Sequence, residues 1–273
     1  MSSTLLHLSD THFGTEQPPV VAALERLVHD RKPAVAVLSG DVTQRATGAQ
    51  FAAARAFMDR LAIPQWVVIP GNHDIPLYDL PARLFNPYGR YREVFGASLA
   101  PAVETADWLV LPHRTTRRWR HEDGEISAAQ IEATAGRLRQ AARHRPQALR
   151  LAVVHQPVAA PTSADRKNLL HGAQAATARW AEAGADLVLG GHIHLPCVLP
   201  LQSRGDQGGR LWAVQAGTAT SSRLRGDAPN SVNLLSPEPT ADGRRGCRAE
   251  RWDFHVATGV FRLAKSDHLL LGD

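Results

Sequence analysis

The sequence predicts an α/β fold in which the first two-thirds of the chain form a largely parallel sheet. Short runs rich in leucine and β-branched residues alternate there with longer amphipathic stretches, as in successive βαβ units. Polar side chains that can bind metal follow directly after these runs. From about Cys197 onward the helical periodicity fades, which favours a second, mostly antiparallel sheet.

This alternation predicts five core strands and four helices. The predicted strands are Thr4–Ser9, Ala34–Ser39, Trp66–Ile69, Leu149–Val154 and Asp186–Gly190. The predicted helices, which carry apolar residues at roughly helical spacing, are Val20–Asp30, Thr47–Leu61, Ser127–Arg143 and Asn168–Ala183. Ser127 and Gln130 have the spacing of a capping box, which supports the start of the third helix.

Two segments interrupt the alternation. Ile75–Leu99 combines prolines and glycines with several aromatic residues, and Val158–Lys167 is predicted to be a loop. The C-terminal strands are predicted at Arg210–Ala216, Ser231–Leu235, Arg248–Val256 and Val260–Ala264, with surface turns at Gln202–Arg210 and Pro237–Arg245. We expect one domain over residues 1–273, in which 75–99 is a candidate active-site cap and 197–265 is mostly β-strand.

Composition narrows the classes of protein that this chain can belong to. At 273 residues and 44% apolar content it can bury a sizeable core, and it contains no apolar run of the roughly 18 residues that a membrane span needs. The first residues lack the basic segment and cleavage site of a secretory signal, so we expect a cytoplasmic protein. Cys197 and Cys247 lie far apart in the sequence and are expected to be free thiols.

A formal net charge of +5 favours anionic partners in general. Nearly all of the positive charge is arginine, because lysine occurs only at positions 32, 167 and 265, and the chain contains no long basic run. We attribute the arginine content to base composition rather than to a nucleic-acid surface, and the sequence does not indicate nucleic acid as a partner.

Polar clusters after the five predicted core strands carry the chemistry. They are Asp10 and His12, then Asp41, then Asn72 and His73, then His155, and finally His192 and His194. A single such residue is more often structural than a ligand, but five strand ends of one parallel sheet share an edge and would bring all of them together. Metal binding explains the whole set better than core packing does.

The ligand types indicate the metals and the reaction class. Oxygen and imidazole donors without thiolate favour manganese, iron or zinc. The set is larger than one ion needs, and it suits two ions that share a carboxylate and activate a bridging water. Transfer of a phosphoryl or acyl group to water is the chemistry implied.

Five motifs resemble the ordered motif set of the calcineurin-like metallophosphoesterases. They are Asp10-Thr11-His12, Gly40-Asp41, Gly71-Asn72-His73-Asp74, His155 and Gly191-His192-Ile193-His194. The resemblance implies a two-sheet β-sandwich flanked by helices, with a hydroxide held between two metal ions. It implies that one ion is bound by Asp10, His12 and His194, the other by Asn72, His155 and His192, and that Asp41 bridges them. His73 would then be no ligand but would act on the substrate as an acid or charge stabiliser, held by Asp74.

A narrower resemblance concerns the bacterial branch that includes the class III cyclic-nucleotide phosphodiesterases. It is carried by residues 8–13 and by residues 217–223, whereas His155-Gln156-Pro157 departs from the paired histidine found in many members of that branch. The aromatic and arginine residues of 76–95 either contact the substrate or pack into the core as a helical hairpin. Tyr78, His171 and Arg223 are candidate substrate contacts, and the seven histidines without a motif are expected to be solvent-facing or structural.

Hydrolysis of a small-molecule phosphodiester is the function that these observations favour, with cyclic nucleotides as candidate substrates and manganese or iron as the expected metals. The enzymatic alternatives are a nucleotide-sugar or lipid-linked pyrophosphatase, which should have an exposed apolar patch near its site, and a nuclease. A scaffold that keeps the fold without catalysis is the alternative from a different class. The oligomeric state is left open by the motifs.

Overall fold

The computed structural model describes residues 3–120, 122–204, 209–241 and 243–272, and of these it leaves the side chains at 202–204 and 209–210 undescribed. In chain order the elements are β1 (Leu5–Leu8), α1 (Pro18–Arg31), β2 (Val35–Leu38), α2 (Gly48–Leu61), β3 (Gln65–Val68), α3 (Leu80–Phe85), α4 (Gly89–Phe95), β4 (Val103–Glu104), β5 (Trp108–Pro112), α5 (Ala128–His144), β6 (Leu149–Val153), α6 (Ala173–Glu182), β7 (Leu187–Gly190), β8 (Cys197–Arg204), β9 (Gly209–Gln215), β10 (Ser231–Pro237), β11 (Gly246–His255) and β12 (Val260–Leu270). Short 3₁₀ helices cover Asn72–Asp74 and Ser163–Asn168.

Two six-stranded sheets form the centre of the fold. Sheet 1 has the order β12-β11-β10-β1-β2-β3, and sheet 2 has the order β4-β5-β6-β7-β9-β8. Strands β1, β2 and β3 are parallel to one another, as are β5, β6, β7 and β9, while the remaining neighbours are antiparallel. Both sheets therefore combine a parallel part with an antiparallel part.

The apolar residues sort into three layers according to the side of the sheet on which they lie. In β2, Val35 and Val37 pack between the sheets, while Ala36 and Leu38 pack against α1 and α2. Sheet 2 buries its other face, including Leu111, under α5 and α6. The alternation follows from the two-residue period of a strand, and it produces the two-sheet sandwich flanked by helices that the motifs implied.

The assignment of strands to sheets differs from the sequence prediction. The five predicted core strands do not form one sheet, because β1, β2 and β3 lie in sheet 1 and β6 and β7 lie in sheet 2. The prediction of a separate antiparallel sheet at the C-terminus is also wrong, because β10–β12 extend sheet 1, and β8 and β9 complete sheet 2. Periodicity reports which residues form a strand, but the neighbour of a strand is decided by contacts that are distant in sequence.

Three strands were missed and one helix was predicted too long. The prediction contained no β4, β5 or β8; β8 includes Pro200, which is tolerated because the strand lies at an edge and its register shifts after that residue. Helix α6 begins at Ala173 instead of Asn168, since the chain first completes a 3₁₀ helix and then passes through Gly172 at φ +88°. The predicted capping box of Ser127 and Gln130 is confirmed at the start of α5.

Loop predictions had mixed outcomes. Part of the predicted loop Val158–Lys167 forms the second 3₁₀ helix. The turn predicted at Gln202–Arg210 is occupied at both ends by β8 and β9, and its centre, 205–208, lies outside the described residues. The turn predicted at Pro237–Arg245 connects β10 to β11.

Residues 75–99, called the cap segment below, divide their aromatic side chains between the core and the surface. Tyr91 in α4 is buried and donates to the carbonyl of Val68 at 2.8 Å. Tyr88 is buried with its hydroxyl 2.8 Å from Thr116 Oγ1. By contrast, Tyr78 and Phe85 are 76% and 86% exposed. The segment is thus a pair of helices that packs through α4 and presents α3 to solvent.

The cysteines, the helices and the remaining histidines show no further ligand for the site among the described residues named here. Cys197 and Cys247 are free thiols. No helix in the described part of the chain is long and apolar enough to cross a membrane. Among the histidines without a motif, His7 is buried with Nε2 3.0 Å from Ser39 Oγ, and His113 stacks on Trp180. His121 lies outside the described residues.

Candidate metal centre

All seven predicted ligands lie in the segments that directly follow five strands of the two sheets, and Asn72 begins a 3₁₀ helix there. Their backbones are interlocked: Asp10 N donates to the carbonyl of Gly40 at 3.0 Å, His12 N to that of Asp41 at 3.0 Å, and the nitrogen of Gly191 to that of His155 at 2.9 Å. The carboxyl ends of the parallel strands of both sheets therefore meet at one end of the sandwich. The predicted ligands therefore come together as expected, although the strands that carry them belong to two sheets.

Backbone strain is concentrated at this end of the fold. Five of the seven ligands have positive φ angles, namely Asp10 at 53°, His12 at 44°, Asp41 at 49°, His192 at 73° and His194 at 55°. Such conformations cost free energy in residues other than glycine and persist where the surrounding structure enforces them. The strain therefore indicates that this arrangement of side chains serves a function.

Glycine is required beside the ligands because the loops approach each other closely. A Cβ atom at Gly191 would overlap Ser9 Oγ and Asp10 Oδ2, and one at Gly71 would overlap the backbone nitrogen and Oδ1 of Asp41. The glycines of the two motifs thus leave room for the carboxylates.

One group of ligands consists of Asp10, His12 and His194. His194 Nε2 lies 3.2 Å from Asp10 Oδ1 and 3.1 Å from His12 Nε2, and His12 Nε2 lies 3.7 Å from Asp10 Oδ1. Asp10 and His12 are fully buried. Asp10 Oδ1 and His12 Nδ1 have no hydrogen-bond partner within the described residues, which leaves a buried carboxylate oxygen without a donor.

The other group consists of Asn72, His155 and His192. Asn72 Oδ1 lies 3.2 Å from His155 Nε2 and 3.1 Å from His192 Nδ1. Asp41 lies between the two groups, with Oδ1 3.4 Å from His155 Nε2 and Oδ2 3.7 Å from His12 Nε2. Each oxygen of this carboxylate thus faces a different group.

Backbone carbonyls orient two of the imidazole rings. His155 Nδ1 lies 2.8 Å from the carbonyl of Ser39, and His194 Nδ1 lies 2.6 Å from the carbonyl of Arg223. Because a carbonyl only accepts, Nδ1 carries a proton in both rings, and in the neutral ring the lone pair lies on Nε2, where it can bind a metal ion. This is the tautomer in which histidine binds a metal through Nε2.

The electrostatics of the site suit cations. Burial lowers the pKa of His12 to about 3 and that of His192 to about 4, so both rings are neutral near pH 7. Burial also disfavours protonated His155, but the adjacent Asp41 carboxylate outweighs it and raises that pKa to about 9. Burial would likewise raise the pKa of Asp41, yet His155 and His12 hold it well below its usual value. A metal ion bound here would displace the proton that His155 holds beside the Asp41 carboxylate, because metal ligands bind in their deprotonated form.

These residues therefore fit two metal ions. The orphaned oxygen of Asp10, the imidazoles and the carboxylate shared by both groups form a set of nitrogen and oxygen donors without thiolate. Three clusters of three side chains, each with ligand atoms within 4.8 Å of one another, occur here: Asp10 with His12 and His194, His12 with Asp41 and His73, and Asp41 with His155 and His192.

His73 lies at the margin of the two groups. Its backbone nitrogen donates to Asp41 Oδ1 at 2.8 Å, its Nδ1 lies 3.1 Å from the carbonyl of Gln44, and its ring meets that of His12 edge to face at 4.8 Å. The ring is half-buried and so can reach a molecule that enters the site.

Asp74 has a different role from the one that the resemblance implied. Its carboxylate accepts from the backbone nitrogens of Val42, Thr43 and Gly71 at 3.0, 2.8 and 2.8 Å and from the Thr43 hydroxyl at 2.8 Å. Burial and the neighbouring Asp41 raise the pKa of Asp74 to about 7, whereas the four donors favour its ionised form. The expectation that it holds the His73 ring is therefore corrected: Asp74 positions the loop that carries Asp41.

Of the three predicted substrate contacts, only Arg223 has a hydrogen bond to one of the seven ligands within the described part of the chain. Arg223 borders the site through its carbonyl on His194, and its Nη1 donates to Gln44 Oε1 at 3.0 Å. Tyr78 is exposed and has the Arg45 guanidinium 5.4 Å from its ring centroid. His171 is paired with Asp123 at 3.6 Å and makes no hydrogen bond or ion pair with the seven ligands among the described residues.

Sequence reasoning missed several residues that support the site. Thr218 and Thr220 donate to the carbonyls of Asp10 and Thr11 at 2.6 and 3.1 Å and so hold the first loop in place. Gln44 connects His73 to Arg223. The threonines lie in a motif that the sequence had singled out, but Gln44 carried no signal beyond its position three residues after Asp41.

Comparison with known proteins agrees with this geometry. Residues 3–196 match the family model described as calcineurin-like phosphoesterase. None of the curated protein sequences matches the chain. Among solved structures, a purple acid phosphatase from yellow lupin superimposes with a TM-score of 0.67 at 13% identity, covering 99% of this chain and 54% of the lupin chain.

Two further structures show the same fold. A dimetal phosphatase from Danio rerio has a TM-score of 0.66 at 12% identity, and the superposition covers 99% of this chain and 99% of the Danio rerio chain. A protein described as a 5′-nucleotidase from Staphylococcus aureus has a TM-score of 0.55 at 12% identity, covering 100% of this chain and 55% of that one. At these identities the likeness concerns the fold alone, and this chain spans about half the length of the lupin and staphylococcal proteins.

Proposed function

This chain belongs to the calcineurin-like phosphoesterase family, and from that premise we propose that it hydrolyses small-molecule phosphodiesters at a centre of two metal ions. The observation that carries the proposal is the position of Asp41, whose two oxygens face separate groups of ligands. Asp10, His12 and His194 would hold one ion, and Asn72, His155 and His192 the other. Manganese or iron are the metals that we propose, with zinc as an alternative.

Different residues of the chain would have different roles in hydrolysis. Metal ions bound here would supply Lewis acidity and an activated water. The strained loops hold the ligands before any substrate binds, so little reorganisation is needed during the reaction. His73 lies where it can donate a proton to the leaving oxygen or offset charge on the phosphate. Arg223, at the border of the site, can pair with a phosphate oxygen.

A diester is the proposed substrate class, with cyclic nucleotides as candidates and a cytoplasmic location. The support is the narrower resemblance of residues 8–13 and 217–223, together with the geometry of His73. A diester leaves as an alkoxide that this ring can protonate, whereas a monoester near neutral pH carries nearly two negative charges and can bind the metals unproductively.

The test compares a bis-aryl phosphate with the matching mono-aryl phosphate on protein reconstituted with manganese, and then a panel of cyclic nucleotides. We expect a higher kcat/KM for the diester. A clear preference for the monoester would leave the general phosphoesterase assignment standing and remove the diesterase proposal.

One observation favours a second candidate, a lipid-linked pyrophosphatase. Tyr78, Leu80, Leu84 and Phe85 are 54% to 86% exposed along the α3 part of the cap segment. Several large apolar side chains exposed within one short segment are typical of surfaces that bind apolar groups. Turnover of a long-chain pyrophosphate ester in detergent micelles, at higher kcat/KM than the aryl diester, would favour this candidate.

A further inference from the structure

A cavity of about 570 Å³ lies outside the candidate metal centre. It is formed between the cap segment, residues 114–119 after β5, and the first turn of α5, and it is lined by none of the seven proposed metal ligands. Cavities of roughly 300–1,000 Å³ commonly bind small molecules. Its chemistry is therefore informative about a ligand.

Four arginines line this cavity: Arg92, Arg114, Arg117 and Arg118. None of the lining residues that the structure describes is acidic, and within the same described residues none of the four guanidinium groups pairs with a carboxylate. The neighbouring Arg120, in contrast, lies 3.6 Å from Asp123. The cavity thus gathers positive charge without a counter-charge of its own.

Arg117 shows this most clearly, because the residue is only 9% exposed. Its Nη1 donates to the carbonyls of Arg114 and Thr116 at 3.3 and 3.1 Å. Burial and the positive charge of Arg114 lower the pKa of Arg117, while Glu125, which lies 3.8 Å from Arg120, offsets this in part. A buried guanidinium near other positive charges is stabilised when an anion binds.

Helix α5 adds a second, independent source of positive potential. Its N-cap Ser127 and the first-turn residue Gln130 line the cavity, and the helix continues for 17 residues. The partial positive charge at the N-terminus of a helix favours phosphate groups. The helix and the arginines therefore act on the same volume.

Aromatic side chains border the charged volume. Phe85 and Trp119 line the cavity and are 86% and 69% exposed, and the Arg114 guanidinium lies 5.7 Å from the ring centroid of Tyr88. Exposed aromatic faces beside arginines can stack a nucleobase.

We propose that this cavity is a second binding site, which takes a nucleoside diphosphate with its phosphates among the arginines and its base against Phe85 and Trp119. Thr115, which lies between the lining residues Arg114 and Thr116, donates through Oγ1 to Gln156 Oε1 at 2.7 Å, and Gln156 follows His155, so a hydrogen bond connects the segment that lines the cavity to a loop of the metal centre. The bound molecule is either part of a substrate that extends from the metals or a separate effector.

Titration calorimetry of the metal-loaded protein with α,β-methylene-ADP, which resists hydrolysis between its phosphates, tests the proposal. We expect the double variant Arg92→Gln, Arg114→Gln to bind about a hundredfold more weakly, at about tenfold for each charged contact. The matched control is Arg139→Gln, an exposed arginine of α5 outside the cavity, and its affinity should stay within twofold of wild type.

A parallel titration with a chelator present separates this site from the proposed phosphoesterase centre. Binding that persists there, and remains sensitive to the double variant, supports the site whether or not the catalytic proposal holds. Binding that requires the metals but is still weakened by the double variant identifies a substrate that extends from the metal centre, whereas an equal affinity of the double variant and the control overturns the proposal.

The nucleoside part has its own test. If Phe85 and Trp119 receive a base, α,β-methylene-ADP binds at least tenfold more tightly than inorganic pyrophosphate, and Trp119→Leu removes the difference. Equal affinities would overturn the base assignment. A double variant that lowers the kcat/KM of a nucleotide substrate relative to an aryl phosphate identifies the ligand as substrate, and an unchanged ratio identifies a separate effector.

Discussion

Asp41→Asn should remove one metal ion selectively, and the structure indicates which one. The change keeps the size of the side chain and an oxygen that can accept from His73 N, but it removes the negative charge that faces both groups of ligands. Asp10 remains as a carboxylate for the group that contains His12. The group of Asn72, His155 and His192 has no other carboxylate, so it should lose its ion first.

The magnitude follows from what Asp41 contributes. Residues that only orient a metal ligand typically change metal affinity by about 10- to 100-fold when they are mutated. A carboxylate that contacts the metal directly, and is the one anionic donor of its group, should contribute at least the upper end of that range. We therefore expect at least a hundredfold weaker binding of the second ion and a metal content near one per chain, against two in wild type.

Elemental analysis after manganese reconstitution and a calorimetric titration would measure this, with circular dichroism to show that the variant is folded. Asp10→Asn is the matched comparison, because it removes a carboxylate from the other group and should spare the ion near His155. Two ions retained by Asp41→Asn, with affinities within threefold of wild type, would refute the shared-carboxylate reasoning.

Three further predictions concern catalysis, pH dependence and packing. His73→Asn should lower turnover by about 10²- to 10⁴-fold at nearly unchanged metal content, and loss of metal with activity would instead make His73 a ligand. Burial lowers the pKa of His113 to about 4, so the unfolded ring takes up a proton below about 6.5 while the folded ring stays neutral, and stability is lost as pH falls through that window. Moving from pH 7 to pH 5 should cost about 2 kcal/mol through this residue. Chemical denaturation should therefore show a loss of stability that is smaller by about that amount in His113→Gln than in wild type, whereas His144→Gln, at an exposed site, keeps the full loss. Gly191→Ala should displace the adjacent carboxylate and lower both metal content and Tm, whereas Gly136→Ala, in open space within α5, should stabilise the protein by up to about 1 kcal/mol; an equal effect of the two changes would contradict the close approach at Gly191.

The sequence by itself determined the features that depend on neighbouring residues. The five strand-end motifs, the helices α1, α2 and α5, and the capping box at Ser127 are all read from periodicity and local chemistry. The gathering of the predicted ligands at one end also followed from the sequence, because parallel strands deliver their carboxyl ends to one edge. That inference holds even though the strands divide between two sheets.

Only the tertiary structure decided which strands pair and where particular side chains point. The division of the core strands between two sheets, the insertion of β9 beside β7 and the turn of Asp74 toward Val42, Thr43 and Gly71 all depend on contacts between residues far apart in the chain. The cavity beside Arg117 likewise forms only when α4, α5 and the segment after β5 come together. Local sequence determines the period of an element and the chemistry of its side chains. A strand edge or a carboxylate, however, can pair with several segments of similar sequence, and the packing of the whole chain determines which pairing forms.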